Sequence, residues 1–172
     1  MKNYHNYCFY FYAVRKTLMF AGLLCFFALL LLGNASSVYA QWKPIGIDLE
    51  GTNSGDELGT TVAISDDGGV LVSGAPRSDA NGASTGQIKV YKIDGNGAKY
   101  NLAFTIDGLA GGDRFGSSVA VSGNGSVFAA GAPLHDDTFS NVGSVRVYNS
   151  TNGSIIGNEI QGEGGSEFGS SL

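Results

Sequence analysis

Two stretches of the chain spell the same unit, and that repetition limits the fold more than any single residue does. Gly55-Asp56-Glu57-Leu58-Gly59 leads through Val62-Ala63-Ile64-Ser65 to Gly74-Ala75-Pro76, then to Gly86 and Val90-Tyr91. Gly112-Asp113-Arg114-Phe115-Gly116 leads through Val119-Ala120-Val121-Ser122 to Gly131-Ala132-Pro133, then to Gly143 and Val147-Tyr148. Gly59 and Gly116, Gly74 and Gly131, Gly86 and Gly143, and Tyr91 and Tyr148 each lie 57 positions apart. A fixed period of that size marks one supersecondary unit used repeatedly, because a single copy cannot bury its own apolar faces. A third copy opens at Gly164-Gly165-Ser166-Glu167-Phe168-Gly169, and Leu172 falls where Val62 and Val119 stand. Repeat arrays need capped or closed ends, so the sequence reads as a fragment or truncated member of a longer array.

The first 40 residues read as separate from the fold. Arg15 and Lys16 precede an apolar run from Leu18 to Leu32, and Val38-Tyr39-Ala40 supplies an A-x-A-like site before Gln41. Charged start, short apolar segment and small residues make a secretory signal over 1–40. The run is shorter than the roughly 20 residues that cross a bilayer as a helix. The apolar stretch Cys8 to Val14 lengthens it and keeps an uncleaved membrane anchor as the alternative. The expected location is therefore secreted or extracellular, or else membrane-anchored at the cell surface.

Cys8 and Cys25 both lie in this leader, so the exported part has no disulfide and must draw its stability from burial between repeats. Seven Lys and Arg against 15 Asp and Glu follow Ala40, a balance of −8. That argues against nucleic acid or an anionic membrane surface as partner.

No 3.6-residue apolar period runs long enough for a helix, and short alternating segments punctuated by glycine indicate an all-β chain. Thr60 to Ser65 alternates Val62 and Ile64 with small residues; Asp66-Asp67-Gly68-Gly69 turns the chain, as Gly123-Asn124-Gly125 does in the second copy. Val70-Leu71-Val72 and Val127-Phe128-Ala129 are continuously apolar and read as buried on both faces. After Gly-Ala-Pro, a nine-residue crossover leads to Ile88–Tyr91 or Val145–Tyr148, with Lys89 and Arg146 expected on the solvated side. A fourth strand runs through Leu102, Phe104 and Ile106, and more weakly through Ile155 and Ile160. Ile45-Gly46-Ile47-Asp48-Leu49-Glu50-Gly51 is similar to Ile156–Gly162, so 41–50 reads as the outer strand of a neighbouring unit. Four-stranded units repeated radially predict β-propeller blades: 51–107 as the first, 108–161 as the second, and 162–172 as the start of a third.

Phe115-Gly116 with Gly131-Ala132-Pro133 and the later Gly143 and Val147-Tyr148 resemble the FG-GAP repeat, the blade of integrin α-type propellers. Leu58-Gly59 with Gly74-Ala75-Pro76 matches with Leu58 in place of the aromatic, and the third copy contributes Phe168-Gly169. The resemblance implies a propeller used for extracellular adhesion or ligand binding, completed by further blades from a longer chain or another copy. The alternatives are the accessory propeller of an extracellular hydrolase and a purely structural surface protein.

Calcium-binding members of that family carry a D-x-D-x-D-G loop between the first two strands, where alternating carboxylates converge on a hard cation. Here those loops read Ser65-Asp66-Asp67-Gly68-Gly69 and Ser122-Gly123-Asn124-Gly125-Ser126, so no cofactor and no calcium are expected in these units. Asp66, Asp67, Asp136 and Asp137 are the nearest approach to metal ligands, and Asp66 and Asp67 read as turn formers. The exported part has no cysteine nucleophile and one histidine, His135, so no catalytic constellation assembles. Binding residues concentrate on loops held by rigid scaffolds, which singles out the crossovers 77–85 and 134–142: Arg77, Asp79 and Asn81 in one, His135, Asp136, Asp137 and Phe139 in the other. Their expected ligand is an extracellular protein or a glycan. Asn149-Ser150-Thr151, Asn152-Gly153-Ser154 and Asn124-Gly125-Ser126 match the glycan-acceptor pattern.

Overall fold

Short runs of Val, Ile, Tyr and Thr between glycine-rich turns can satisfy their backbones only by pairing laterally, and the chain does so twice. The computed structural model describes residues 43–172, so the leader, its cysteines and the cleavage site lie outside the described residues. The first sheet contains β1 (Thr61–Ile64), β2 (Val70–Ala75), β3 (Gln87–Ile93) and β4 (Tyr100–Asp107). The second contains β5 (Ser118–Val121), β6 (Val127–Ala132), β7 (Ser144–Asn149) and β8 (Ile160–Gln161). Each is antiparallel, with its strands in chain order. Among the described residues there is no helix, and Pro44–Leu172 forms one compact unit. The all-β expectation holds, as two four-stranded antiparallel sheets.

The sheets share one core. Val72, Ile88 and Val90 of the first meet Phe128, Ala130 and Tyr148 of the second, with Phe115 between them. Phe128 stacks on Tyr148 at 5.2 Å between ring centroids, and Phe115 meets Tyr148 edge-on at 6.1 Å. Such pairs add about 0.5–1.5 kcal/mol each beyond their buried area. Only Val72 and Phe128 of the two apolar runs are fully buried; Val70, Leu71, Val127 and Ala129 are half-buried. The expectation of burial on both faces fails: Leu71, Val127 and Ala129 lie on the strand faces opposite Val72 and Phe128, while Val70 packs only partly buried against the core.

Equivalent residues fare differently for the same reason. Val119 and Val121 pack on the core, whereas their counterparts Val62 and Ile64 are 56% and 52% exposed on the far side of the first sheet. Lys89 and Arg146 correct a second expectation, since both are buried at 7% exposure. Lys89 Nζ donates to Thr52 Oγ1 at 2.8 Å, and Arg146 is neutralised by Glu159. Residues 44–50 form no strand, and Ile45, Ile47 and Leu49 are exposed.

A recurring main-chain joint relates one unit to the next. A β-carbon added to Gly74 would overlap the carbonyl oxygen of Gly116, and one on Gly131 would overlap that of Gly169. Thr61 Oγ1 donates to the Gly116 carbonyl at 2.8 Å, and Ser118 Oγ to that of Gly169 at 2.5 Å. Gly86 bridges Phe115, and Gly143 bridges Phe168, both in parallel sense. The motif glycines are therefore contact surfaces: no side chain fits where the following Phe-Gly lies against them.

Candidate functional site

The crossover loops begin with the same internal brace. Asp79 Oδ1 accepts the Ser84 amide at 2.7 Å, and Asp136 Oδ1 accepts the Asn141 amide at 2.6 Å. Ser84 and Asn141 hold left-handed φ of 51° and 52°, a conformation these bonds support. Asp79 and Asp136, equivalent positions, thus share one structural task inside loops that otherwise differ. Asn81 is likewise engaged, its Nδ2 donating to the Gly108 carbonyl at 3.0 Å. Arg77 lies at the surface, 3.3 Å from Glu57.

His135 departs from the picture of a solvated loop residue. It is drawn in, with only 14% of its side chain exposed, and its Nδ1 lies 2.9 Å from Asp113 Oδ2. Its Nε2 faces Glu159 Oε1 at 4.0 Å and the Gln161 amide nitrogen at 3.5 Å. Arg146 Nη2 meets the same Glu159 oxygen at 2.7 Å. Burial raises the pKa of Glu159, but a hydrogen bond from Ser144 and the charges of Arg146 and His135 outweigh it and leave the carboxyl below its ordinary value. The sequence reads Arg146 as solvated and Asp113 as part of the repeat, and it gives no sign that either joins His135 and Glu159. The counterparts of Asp113 and His135 are Asp56, bound by Asn53, and Ser78, so the pairing has no repeat to announce it.

Beyond His135 the second crossover borders a groove of about 480 Å³. Asp137, Thr138 and Phe139 form one wall, and Gln161 and Glu163 belong to the other. Phe139 is 66% exposed, an aromatic face presented to solvent. Among the described residues, Asp137 and Glu163 are the charged ones that line the groove. Of the predicted loop residues, the structure brings Asp137 and Phe139 together here, with His135 beneath through Gln161. It places Arg77, Asp79 and Asn81 on the other crossover.

The first-hairpin carboxylates are occupied by the backbone. Asp67 Oδ1 accepts from Ser65 Oγ at 2.6 Å and from the Gly69 amide at 2.8 Å, and these bonds hold its carboxyl below the ordinary value. Asn124 takes the same place in the second hairpin, accepting from Ser122 Oγ and Ser126. Asp66 instead meets the neighbouring hairpin, its amide donating to the Gly123 carbonyl at 2.9 Å. Among the described residues no group of three His, Cys, Asp or Glu side chains is placed to hold a metal ion.

No protein-family model matches the sequence, and no curated protein matches it.

Proposed function

We propose that the chain is an exported FG-GAP repeat protein, its sheets blades of a β-propeller, acting as a non-catalytic recognition module for an extracellular protein or glycan. The observation that carries the propeller reading is the joint made twice. Phe115-Gly116 seats on Gly74 and Gly86 as Phe168-Gly169 seats on Gly131 and Gly143. A single placement rule applied in succession generates a repeating array, which becomes a propeller where the rotation closes. Further units of the same construction would cover the apolar faces that Val62 and Ile64 leave open.

The recognition surface is the crossover face, with Phe139 as its anchor. An exposed aromatic beside a groove offers contact area at low entropic cost. Exported protein should be screened against arrays of extracellular proteins and glycans, alongside Phe139→Ala. A ligand whose affinity falls at least tenfold in Phe139→Ala, with the melting temperature kept, supports the reading. A ligand held with equal affinity by the variant places recognition elsewhere, and bond-cleaving activity in the pure chain would overturn the non-catalytic assignment.

A further inference from the structure

We infer that, among the described residues, Asn152 at the tip of the hairpin joining β7 to β8 is the one that carries an N-linked glycan. The inference rests on the export reading above, since only an exported chain meets the machinery that adds such glycans. Three described sites fit the acceptor pattern, and their local geometries separate them.

Asn152 is exposed, and its carboxamide oxygen is turned inward. Oδ1 accepts from the Ser154 amide at 3.0 Å and from Ser154 Oγ at 2.8 Å. The hydroxyl of the third acceptor position thus polarises the carboxamide, and Nδ2 makes no hydrogen bond among the described residues. Gly153 supplies the left-handed φ of 73° that the turn requires, and packs on the ring of Phe104. The acceptor amide is therefore presented on an exposed, fixed turn.

Asn149 lacks these features. It belongs to β7, its side chain is half-buried, and its Oδ1 accepts only the Thr151 amide, at 2.8 Å. Ser150, the middle residue of its acceptor triplet, is buried and donates through Oγ to the Gly125 carbonyl. Asn124 is exposed, but its hairpin is gripped from both sides. Asp66 of the β1–β2 turn holds Gly123, and Ser150 holds Gly125 and Ser126. Its Oδ1 is shared among three donors.

The surroundings of Asn152 give the glycan something to cover. β8 pairs only Ser144 and Val145 of β7, and beyond them the edge is held by a single bridge from Tyr148 to Ile155. Ile155, Ile156 and Ile160 lie along it at 55%, 43% and 52% exposure. An under-paired edge with exposed isoleucines templates association with other chains, and a hydrated oligosaccharide beside it excludes them. The transfer joins Asn152 Nδ2 to the anomeric carbon of a lipid pyrophosphate-linked oligosaccharide. The pyrophosphate leaves with the electron pair of the broken C–O bond, and Nδ2 gives up one proton.

The test is expression of the full chain in a eukaryotic secretory host, with enzymatic glycan release in heavy-oxygen water and peptide mass spectrometry. The expected result is a heavy-oxygen aspartate at 152 in nearly all secreted molecules, and at 149 or 124 in few. Asn149→Gln should keep the electrophoretic shift that Asn152→Asp loses; the aspartate retains the turn acceptor, so folding is preserved. Ser154→Ala, which leaves the asparagine in place, should lose it too. Secreted chain beginning near Gln41 with position 152 unmodified overturns the inference and leaves the export reading standing. Intact chain with Met1 in the cytosol overturns both.

Discussion

Glu159 sits where burial, which favours its neutral form, loses to the Ser144 hydrogen bond and the Arg146 and His135 charges. A carboxyl whose folded pKa is lowered stabilises the fold above its unfolded pKa, and that contribution is lost as pH falls through the folded value. The melting temperature should therefore fall on acidification below about pH 4.5, the ordinary glutamate range. Glu159→Gln should show a shallower fall across that window, as followed by thermal unfolding at a series of pH values. Removing the other partner exposes a different cost. Arg146→Met leaves the Glu159 charge without its cation in a largely buried site, which costs about 1–3 kcal/mol after allowance for partial exposure; chemical denaturation measures it. Asp67 and Asp136 support an opposite expectation for calcium. Their oxygens already serve Gly69 and Asn141. Millimolar calcium or excess chelator should leave the melting temperature nearly unchanged, and a large calcium-dependent rise would refute this.

At the scale of the element, the strands and their order follow from alternation and glycine spacing, but which face each strand buries does not. Val62 and Val119 look alike in sequence, yet one is exposed and the other packs on the core, because only the second has a sheet in front of it. The inward turn of Lys89 and Arg146 was hidden by the same cause. A charged residue alternating with apolar ones reads as solvated unless its partner, here Thr52 or Glu159, is known to reach it. His135 was legible as a candidate, its dependence on Asp113 was not, since 22 positions separate them without a repeated counterpart. The glycines were legible as landmarks, and their reason is contact. Gly131→Ala should thus cost several kcal/mol, above the 1–3 kcal/mol usual for overpacking, because the obstacle is backbone. Ala129→Gly, one strand position pair away, should cost only about 0.5–1 kcal/mol. Urea unfolding of both variants makes the comparison.

For the whole molecule, the open apolar face of the first sheet sets solution behaviour. Residues 41–172 produced alone should self-associate, and Val62→Glu with Ile64→Lys should shift sedimentation toward monomer without loss of β-sheet signal. A sharply melting monomer in the unaltered segment would remove the ground for the propeller reading and favour a self-contained two-sheet sandwich. The joint between units has a consequence of another kind. Its key contacts run from glycine backbone to the main chain of the following Phe-Gly, with one hydroxyl from Thr61 or Ser118, so they read shape and scarcely read side-chain identity. The crossovers diverge in side chains while the joint stays the same. Such units are interchangeable parts: one can be duplicated, deleted or grafted whole, and the surfaces its loops display travel with it.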